Sequence, residues 1–407
     1  MILIKNAKPF DLLLDGATIK KAGKVSEKAE QTIDAKGLVA VPGLIDMHVH
    51  FREPGREDKE TIATGAAAAI AGGFTSVAVM ANSGRVCDDA VGVVYVQAKS
   101  REAGAANVFA VGAVTKGLKG EELAELGKMS EAGAVAFSDD GMPITNSDLM
   151  RRALEYSKMF HRPILSHCED VSLTKGFVMN EGPVAAKLGL RGYPNAAEAA
   201  MAARDCYLAA LTGGHVHICH LSAKETVDVV RRAKKQGIRV TAEAAPHHLM
   251  LTDETLANYE SKYKMNPPLR TQADVEAVIE GVVDGTIDAI ASDHAPHTSE
   301  EKEQELAACP NGVIGLETTL GVILSLKKIP FDRAIAAMTT APAAILGLGK
   351  KGVLEAGADA DITLIDPKAS WTVDPSSFKS KGRCTPYEKM KLTGRAAHVF
   401  VAGRQCF

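Results

Sequence analysis

Apolar and polar positions along the chain fall into two regimes. From Met1 to Ala40 the segments ILIK, DLLLDG, TIKKAG and QTIDAKG are short, alternate in polarity and are separated by turn residues, which predicts half-buried β-strands. From Leu44 onward, short apolar runs alternate with longer segments whose apolar residues recur every three to four positions. That succession predicts strand then helix, repeated, as in a parallel sheet built of βαβ units. Eight strands are expected, at Leu44–His50, Thr75–Asn82, Asn107–Val114, Ala134–Asp140, Pro163–His167, His215–His220, Arg239–Ala245 and Asp288–Asp293. Helical patterns fall at Lys59–Ala71, Glu121–Ala132, Ser147–Phe160, Ala196–Leu211 and Lys224–Gln236, most ending near glycine. Eight such units predict an α/β fold, a closed (β/α)8 TIM barrel with its site at the C-terminal strand ends. After Pro342 the pattern returns to β in ADADITLIDP, SWTVDP and AAHVFVAGRQ. These strands are expected to pair with the N-terminal ones in a small flanking β-domain, built from residues 1–42 and 346–407 around a barrel of residues 43–345.

Composition narrows the class of protein. A chain of 407 residues, 46% apolar and 24% charged, can bury a large core and shows no sign of disorder. Its formal net charge of -3 offers no electrostatic footprint for nucleic acid or an anionic membrane. The apolar run of MILIKNAKPF is too short for a signal peptide, and no later stretch of about 20 apolar residues would span a bilayer, so a soluble cytoplasmic protein is expected. Seven scattered cysteines form neither a disulfide framework nor a C-x-x-C zinc motif. Cys168 and Cys219 adjoin histidines at strand ends, and strand alternation predicts that both pack outward against helices.

The chemistry concentrates where strands end. Val41–Gly55 reads VPGLIDMHVHFREPG, and in an extended strand His48 and His50 share one face. Two buried imidazoles side by side are costly unless their ring nitrogens are satisfied, which a divalent cation does. Strand four ends in Asp139 and Asp140, strand five in His167, strand six in His220 and strand eight in Asp293. Alone, each is more often a hydrogen-bonded core residue or a turn residue; together they sort to one end of one barrel, where ligands distant in sequence converge. Four histidines, with carboxylates from two strands, exceed the three protein ligands of a mononuclear catalytic zinc. Two ions sharing a carboxylate, ~3.5 to 4 Å apart, are therefore expected.

The ordered motifs HVHFREPG (48–55), FSDDG (137–141), SHCED (166–170), HICHLSA (217–223), EAAPHHL (243–249), KMNPPLR (264–270) and SDHAPH (292–297) together resemble the class I bacterial dihydroorotases of the amidohydrolase superfamily. The resemblance runs from Pro42 to Leu346, and the flanking β segments are similar to that family's composite domain. It implies zinc-dependent, reversible cyclisation of N-carbamoyl-L-aspartate to L-dihydroorotate in pyrimidine synthesis. It further implies one zinc on His48, His50 and Asp293, a second on His167 and His220, and Asp140 rather than Asp139 as the bridge. A metal-bridging hydroxide would attack the ring amide, with Asp293 as general base and acid. His50, Arg52, Asn82, Asn266, His297, Asn311 and Gly312 would bind substrate, Arg52 meeting its α-carboxylate. His294, which follows Asp293 directly, is expected to face away from the metals, and His247 and His248 to be structural.

Hydantoinases, allantoinases and dihydropyrimidinases are similar in HxH and SDH but carry a carboxylated lysine where this chain has Asp140. The chain departs from the dihydroorotase pattern at Ala81 and Ser83, and at Asn311 where relatives have an aromatic residue, which bears on affinity. A non-catalytic structural subunit is the competing reading, opposed by the complete ligand set. The partner expected is the small-molecule substrate; homodimerisation and association with aspartate transcarbamoylase stay open at this level.

Overall fold

The apolar runs become strands, and the strands stop where the polar residues begin. A computed structural model describes residues 1–407. Its central sheet has eight parallel strands in chain order: Leu44–Val49, Phe74–Val79, Asn107–Gly112, Ala136–Ser138, Ile164–Ser166, Val216–Ile218, Val240–Ala244 and Ala289–Ile290. All eight expected strands are present; His48 lies inside the first, whereas the fourth, fifth, sixth and eighth end short of the polar residues assigned to them. The cause is conformational: His220 (φ 31°) and Asp293 (φ 49°) lie in the left-handed region, which no strand accommodates. The sheet curls until its first and last strands meet. There the seam is made by His50 N–H donating to His294 O at 2.8 Å, and by Ser292 N–H donating to the Asp46 carboxylate at 3.0–3.1 Å.

Side chains fill the barrel from within, among them Met47, Ala78, Val111, Leu165 and Ala291, so the interior is a packed core. A larger apolar layer, including Phe74, Val108, Phe137 and Val227, binds the barrel to its helices. The helix expected at Lys59–Ala71 begins only at Ile62, because Thr61 caps it in a reciprocal box with Thr64. Lys59 and Glu60 are thereby left in the loop facing the site. The helix expected from Glu121 shrinks to Leu126–Glu131, since Lys116 N–H bonds to Glu122 O and commits that stretch to a turn.

The terminal strands form two four-stranded sheets. Thr18–Ala22, Leu12–Asp15, Ile2–Lys5 and Gln31–Asp34 lie side by side in that order in one. In the other, Val39–Pro42 pairs antiparallel with Ile362–Thr372, which pairs with Lys391–Val401 and then Arg404–Gln405. One core of Ile4, Leu12, Ile19, Ile362, Leu364 and Phe400 joins them. ADADITLIDP and SWTVDP prove to be one strand: the Asp366–Pro367 punctuation is absorbed as a register irregularity before Ser370. No helix is long and apolar enough to cross a membrane.

Candidate metal and active site

At the C-terminal end of the barrel a cavity of about 210 Å³ is lined by His50, Arg52, Asn82, Asp140, Gly141, His167, Asn266, Asp293, Ala295, His297, Asn311 and Gly312. His48 and His220 lie buried beneath it. Each candidate from the sequence is thus in the cavity wall or its floor.

Asp140 is the hinge of the arrangement. Its Oδ2 lies 3.5 Å from His48 Nε2 and 3.4 Å from His50 Nε2, while Oδ1 lies 3.2 Å from His220 Nε2 and 3.5 Å from His167 Nδ1. Asp293 Oδ1 completes the first group, 3.2 Å from His50 Nε2 and 3.6 Å from His48 Nε2. Two three-residue clusters of histidine and aspartate result, His48–His50–Asp293 and Asp140–His167–His220, beside a third in which Cys219 meets His48 and Asp140. Asp139 turns away, its carboxylate accepting from Val114 N–H at 2.7 Å, Thr115 N–H at 3.0 Å and the Thr115 hydroxyl. The two adjacent aspartates are therefore divided between a loop anchor and the cavity.

These side chains suit a divalent cation. His48 Nδ1 lies 2.5 Å from Glu243 Oε1 and donates to it, which leaves Nε2 a bare lone pair, buried, without a hydrogen-bond partner and aimed at two carboxylates. Such a lone pair is repelled by carboxylate oxygens unless a cation stands between them. His50 repeats the pattern: Nδ1–H donates to Asn82 Oδ1 at 2.7 Å and Nε2 faces Asp140 and Asp293. Separations of 3.2–3.6 Å between these ligand atoms match the ~3.3 Å edge of a tetrahedron with bonds of about 2.0–2.1 Å. Burial disfavours charge on His167, yet Asp140 and Glu169 override it and hold its pKa at about 10. With no ion this site collects protons, and ions entering it displace them, so metal affinity falls as pH falls.

Three buried acids support the histidines; Glu169 and Glu243 lie within the motifs SHCED and EAAPHHL, but none of the three had been given a role. Glu243 also faces His217 Nε2 at 3.3 Å; burial would raise its pKa, but His48 and His217 hold it at about 2. Glu169 accepts from His167 Nε2–H and from Asn266 Nδ2, both at 2.9 Å. Asp46 accepts the backbone N–H of His48 at 3.1 Å, and burial raises its pKa to about 7. Asp46 and Glu243 share a signal, an acid inside an apolar strand, a position that demands a partner, whereas Glu169 lies in the loop after the fifth strand. A carboxylate behind a ligating histidine fixes its tautomer, so Glu243→Gln should weaken metal binding by about 10- to 100-fold while the fold persists. Competition with a chromophoric chelator measures this; an unchanged affinity would remove Glu243 from that role.

Cys219 corrects the expectation of outward packing. Its thiol lies inside the barrel, within 4.8 Å of ligand atoms of His48 and Asp140, because the sixth strand ends at Ile218 and alternation ends with it. Burial pushes its thiol well above the ordinary value. Cys168 does face outward, toward Asp205 on the helix Asn195–Thr212. His294 points away from the cavity, with Nε2 3.2 Å from Glu60 Oε2. His248 Nε2–H donates to Pro267 O at 3.0 Å, and His247 is buried beside it.

Arg52, at φ 62°, donates from Nε to Pro296 O at 3.2 Å, and its terminal guanidinium nitrogens have no protein acceptor. Burial draws its pKa down to about 10, so it is a cation near neutrality. Asn266 donates to Glu169 and keeps its buried Oδ1 unpartnered at the wall. Gly55 and Gly84 bring the first two rim loops together: a Cβ on Gly55 would lie 2.8 Å from Gly84 Cα.

Comparison with known proteins agrees with this geometry. Residues 37–226 match the family model described as dihydro-orotase-like. The dihydroorotase of Pelotomaculum thermopropionicum is 51% identical over 396 residues, covering 96% of this chain and 92% of the relative. That of Syntrophotalea carbinolica is 49% identical, covering 97% and 94%. Among solved structures, the L-hydantoinase (dihydropyrimidinase) of Arthrobacter aurescens superposes with a TM-score of 0.89 at 24% identity, over 99% of this chain and 95% of that one, a likeness of fold. With about half its residues identical over nearly the full length of such relatives, the chain belongs to the dihydroorotase family.

Proposed function

We propose that this chain catalyses the reversible cyclisation of N-carbamoyl-L-aspartate to L-dihydroorotate with loss of water, using the residues gathered in the cavity. The observation that carries the assignment of roles is the split of Asp140, one oxygen toward each histidine pair, with Arg52 free at the same wall. His48, His50 and Asp293 would hold one zinc, His167 and His220 a second, and Asp140 would bridge them. Divalent cations there supply Lewis acidity, drawing charge from a carbonyl oxygen and making water acidic enough to react near neutral pH.

The protein's own groups do the rest. Arg52 binds the substrate's α-carboxylate, and an unpaired guanidinium at a cavity wall rewards an anion and disfavours a ring without one. The neighbouring Asn266 carbonyl oxygen accepts from an N–H of substrate. Asp293 holds one oxygen toward His50 and makes no protein hydrogen bond through the other. In hydrolysis it takes the proton of the attacking water as the new C–O bond forms. It then returns that proton to the ring nitrogen as the C–N bond breaks. Cyclisation runs the same transfers in reverse.

Fully loaded protein should contain close to two zinc ions per chain by elemental analysis, and metal-stripped protein should recover activity with zinc alone, without bicarbonate. Asp140 needs no carbon dioxide to become a bridge, whereas a lysine does. Recovery that requires bicarbonate, or no zinc uptake on reconstitution, would overturn the assignment. Asp140→Ala should lower occupancy of the His167–His220 site most, since it removes a ligand and a negative charge between two cations.

A further inference from the structure

The loop that follows the eighth barrel strand places His297 on the cavity wall, and both its ring nitrogens are engaged. Nε2 lies 2.8 Å from Asn311 O. Nδ1 lies 3.1 Å from Lys59 Nζ and 3.2 Å from Glu301 Oε2, and Lys59 and Glu301 are themselves paired at 2.9 Å. Lys59 comes from the loop after the first strand, and Glu301 from the short helix Ser299–Lys302.

These contacts decide where the proton sits. A carbonyl only accepts, so the 2.8 Å contact requires hydrogen on Nε2. An ammonium only donates, so the Lys59 contact, the shorter of the two at Nδ1, is a hydrogen bond only where Nδ1 carries a lone pair. Only the neutral ring protonated at Nε2 meets both conditions. Glu301 then accepts from Lys59 rather than from the ring; were the ring to take a second proton, Nδ1–H would turn to Glu301.

We propose that Lys59 is a positioning residue that locks His297 as the neutral Nε2–H tautomer, its one N–H committed to Asn311 O, so that the ring at the cavity wall has no proton to release. Its significance for catalysis rests on the reading of this cavity as the substrate site: proton traffic is left to Asp293 alone. The surroundings agree. Arg52 and Lys59 face the ring from the loop after the first strand, and Lys302 and Glu301 from the short helix. Burial first, then Arg52, Lys59 and Lys302, bring the His297 pKa down to about 3, with Glu301 opposing them.

Lys59→Met removes the cation from Nδ1 and exposes that nitrogen to an unpaired Glu301 carboxylate. Loss of a like charge and gain of an opposite one each raise a pKa by about 1 to 3 units, so the His297 pKa should climb by about 2 to 6 units. The readout is the pair of ring-nitrogen resonances of His297 in 15N-histidine-labelled, zinc-loaded full-length protein, assigned by loss of the signal in His297→Asn. Wild type should show one protonated and one bare nitrogen, the proton on Nε2, without titration across about pH 6 to 8. Lys59→Met should bring that titration into or toward this range, Lys59→Arg should restore the wild-type pattern, and Lys59→Met with Glu301→Gln should return the ring toward neutrality. Wild-type protein with Nδ1 protonated overturns the assignment even if Lys59→Met fails to fold, and a folded Lys59→Met with an unshifted His297 overturns it as well. These resonances do not depend on turnover, so a wrong substrate would leave this test intact.

Discussion

Asp293→Asn is expected to lower kcat by about 10²- to 10⁴-fold, the usual loss when a general base is removed. Asparagine isolates the effect because it keeps the side-chain size and suits the left-handed backbone at φ 49°, where most residues would strain the loop. Its amide oxygen can still face His50, where the Asp293 oxygen now lies at 3.2 Å, but it cannot take a proton. Loss of the negative charge also weakens the first metal site, so the variant is to be assayed with zinc in excess and its metal content measured. A variant that returns to within tenfold of wild type once loaded would show that Asp293 serves the metal and not the proton.

The features legible in the sequence are those set by a local period. His48 and His50 share a face because Leu44–Val49 is a real strand, and the run of strand then helix led directly to the barrel. Alternation fails where a strand has ended, which is why Cys219 beside His220 points inward. Neither period nor spacing separates Asp139 from Asp140. The choice turns on the waiting N–H groups of Val114 and Thr115, which belong to another unit of the barrel. Glu243, 195 residues from His48, has meaning only once the barrel closes, though a glutamate within the apolar run VTAEA was a visible anomaly. Lys59 was hidden for a related reason. Periodicity placed it in a helix, and the Thr61 cap left it in the loop where it meets His297.

Arg52→Met should lower kcat/KM for L-dihydroorotate by roughly 30-fold to several thousand-fold, corresponding to the about 2 to 5 kcal/mol lost when one partner of a desolvated charge pair is truncated. Methionine keeps much of the apolar stem and deletes the charge. The expected failure differs in kind from that of Asp293→Asn, because Arg52 makes no hydrogen bond or ion pair to either metal cluster and zinc content should remain near that of wild type. The comparison substrate is dihydrouracil, the same ring without its carboxylate. Wild type should favour the carboxylated ring, because the guanidinium, charged near neutrality and free of any protein acceptor at its terminal nitrogens, is left unpaired by dihydrouracil. Arg52→Met should lose that preference by weakening on dihydroorotate, with little change on dihydrouracil, whereas Asp293→Asn should be poor on both. Wild-type protein that prefers dihydrouracil, or an arginine variant with unchanged discrimination, would move Arg52 out of the substrate site and favour a cyclic-amide hydrolase that does not read the carboxylate.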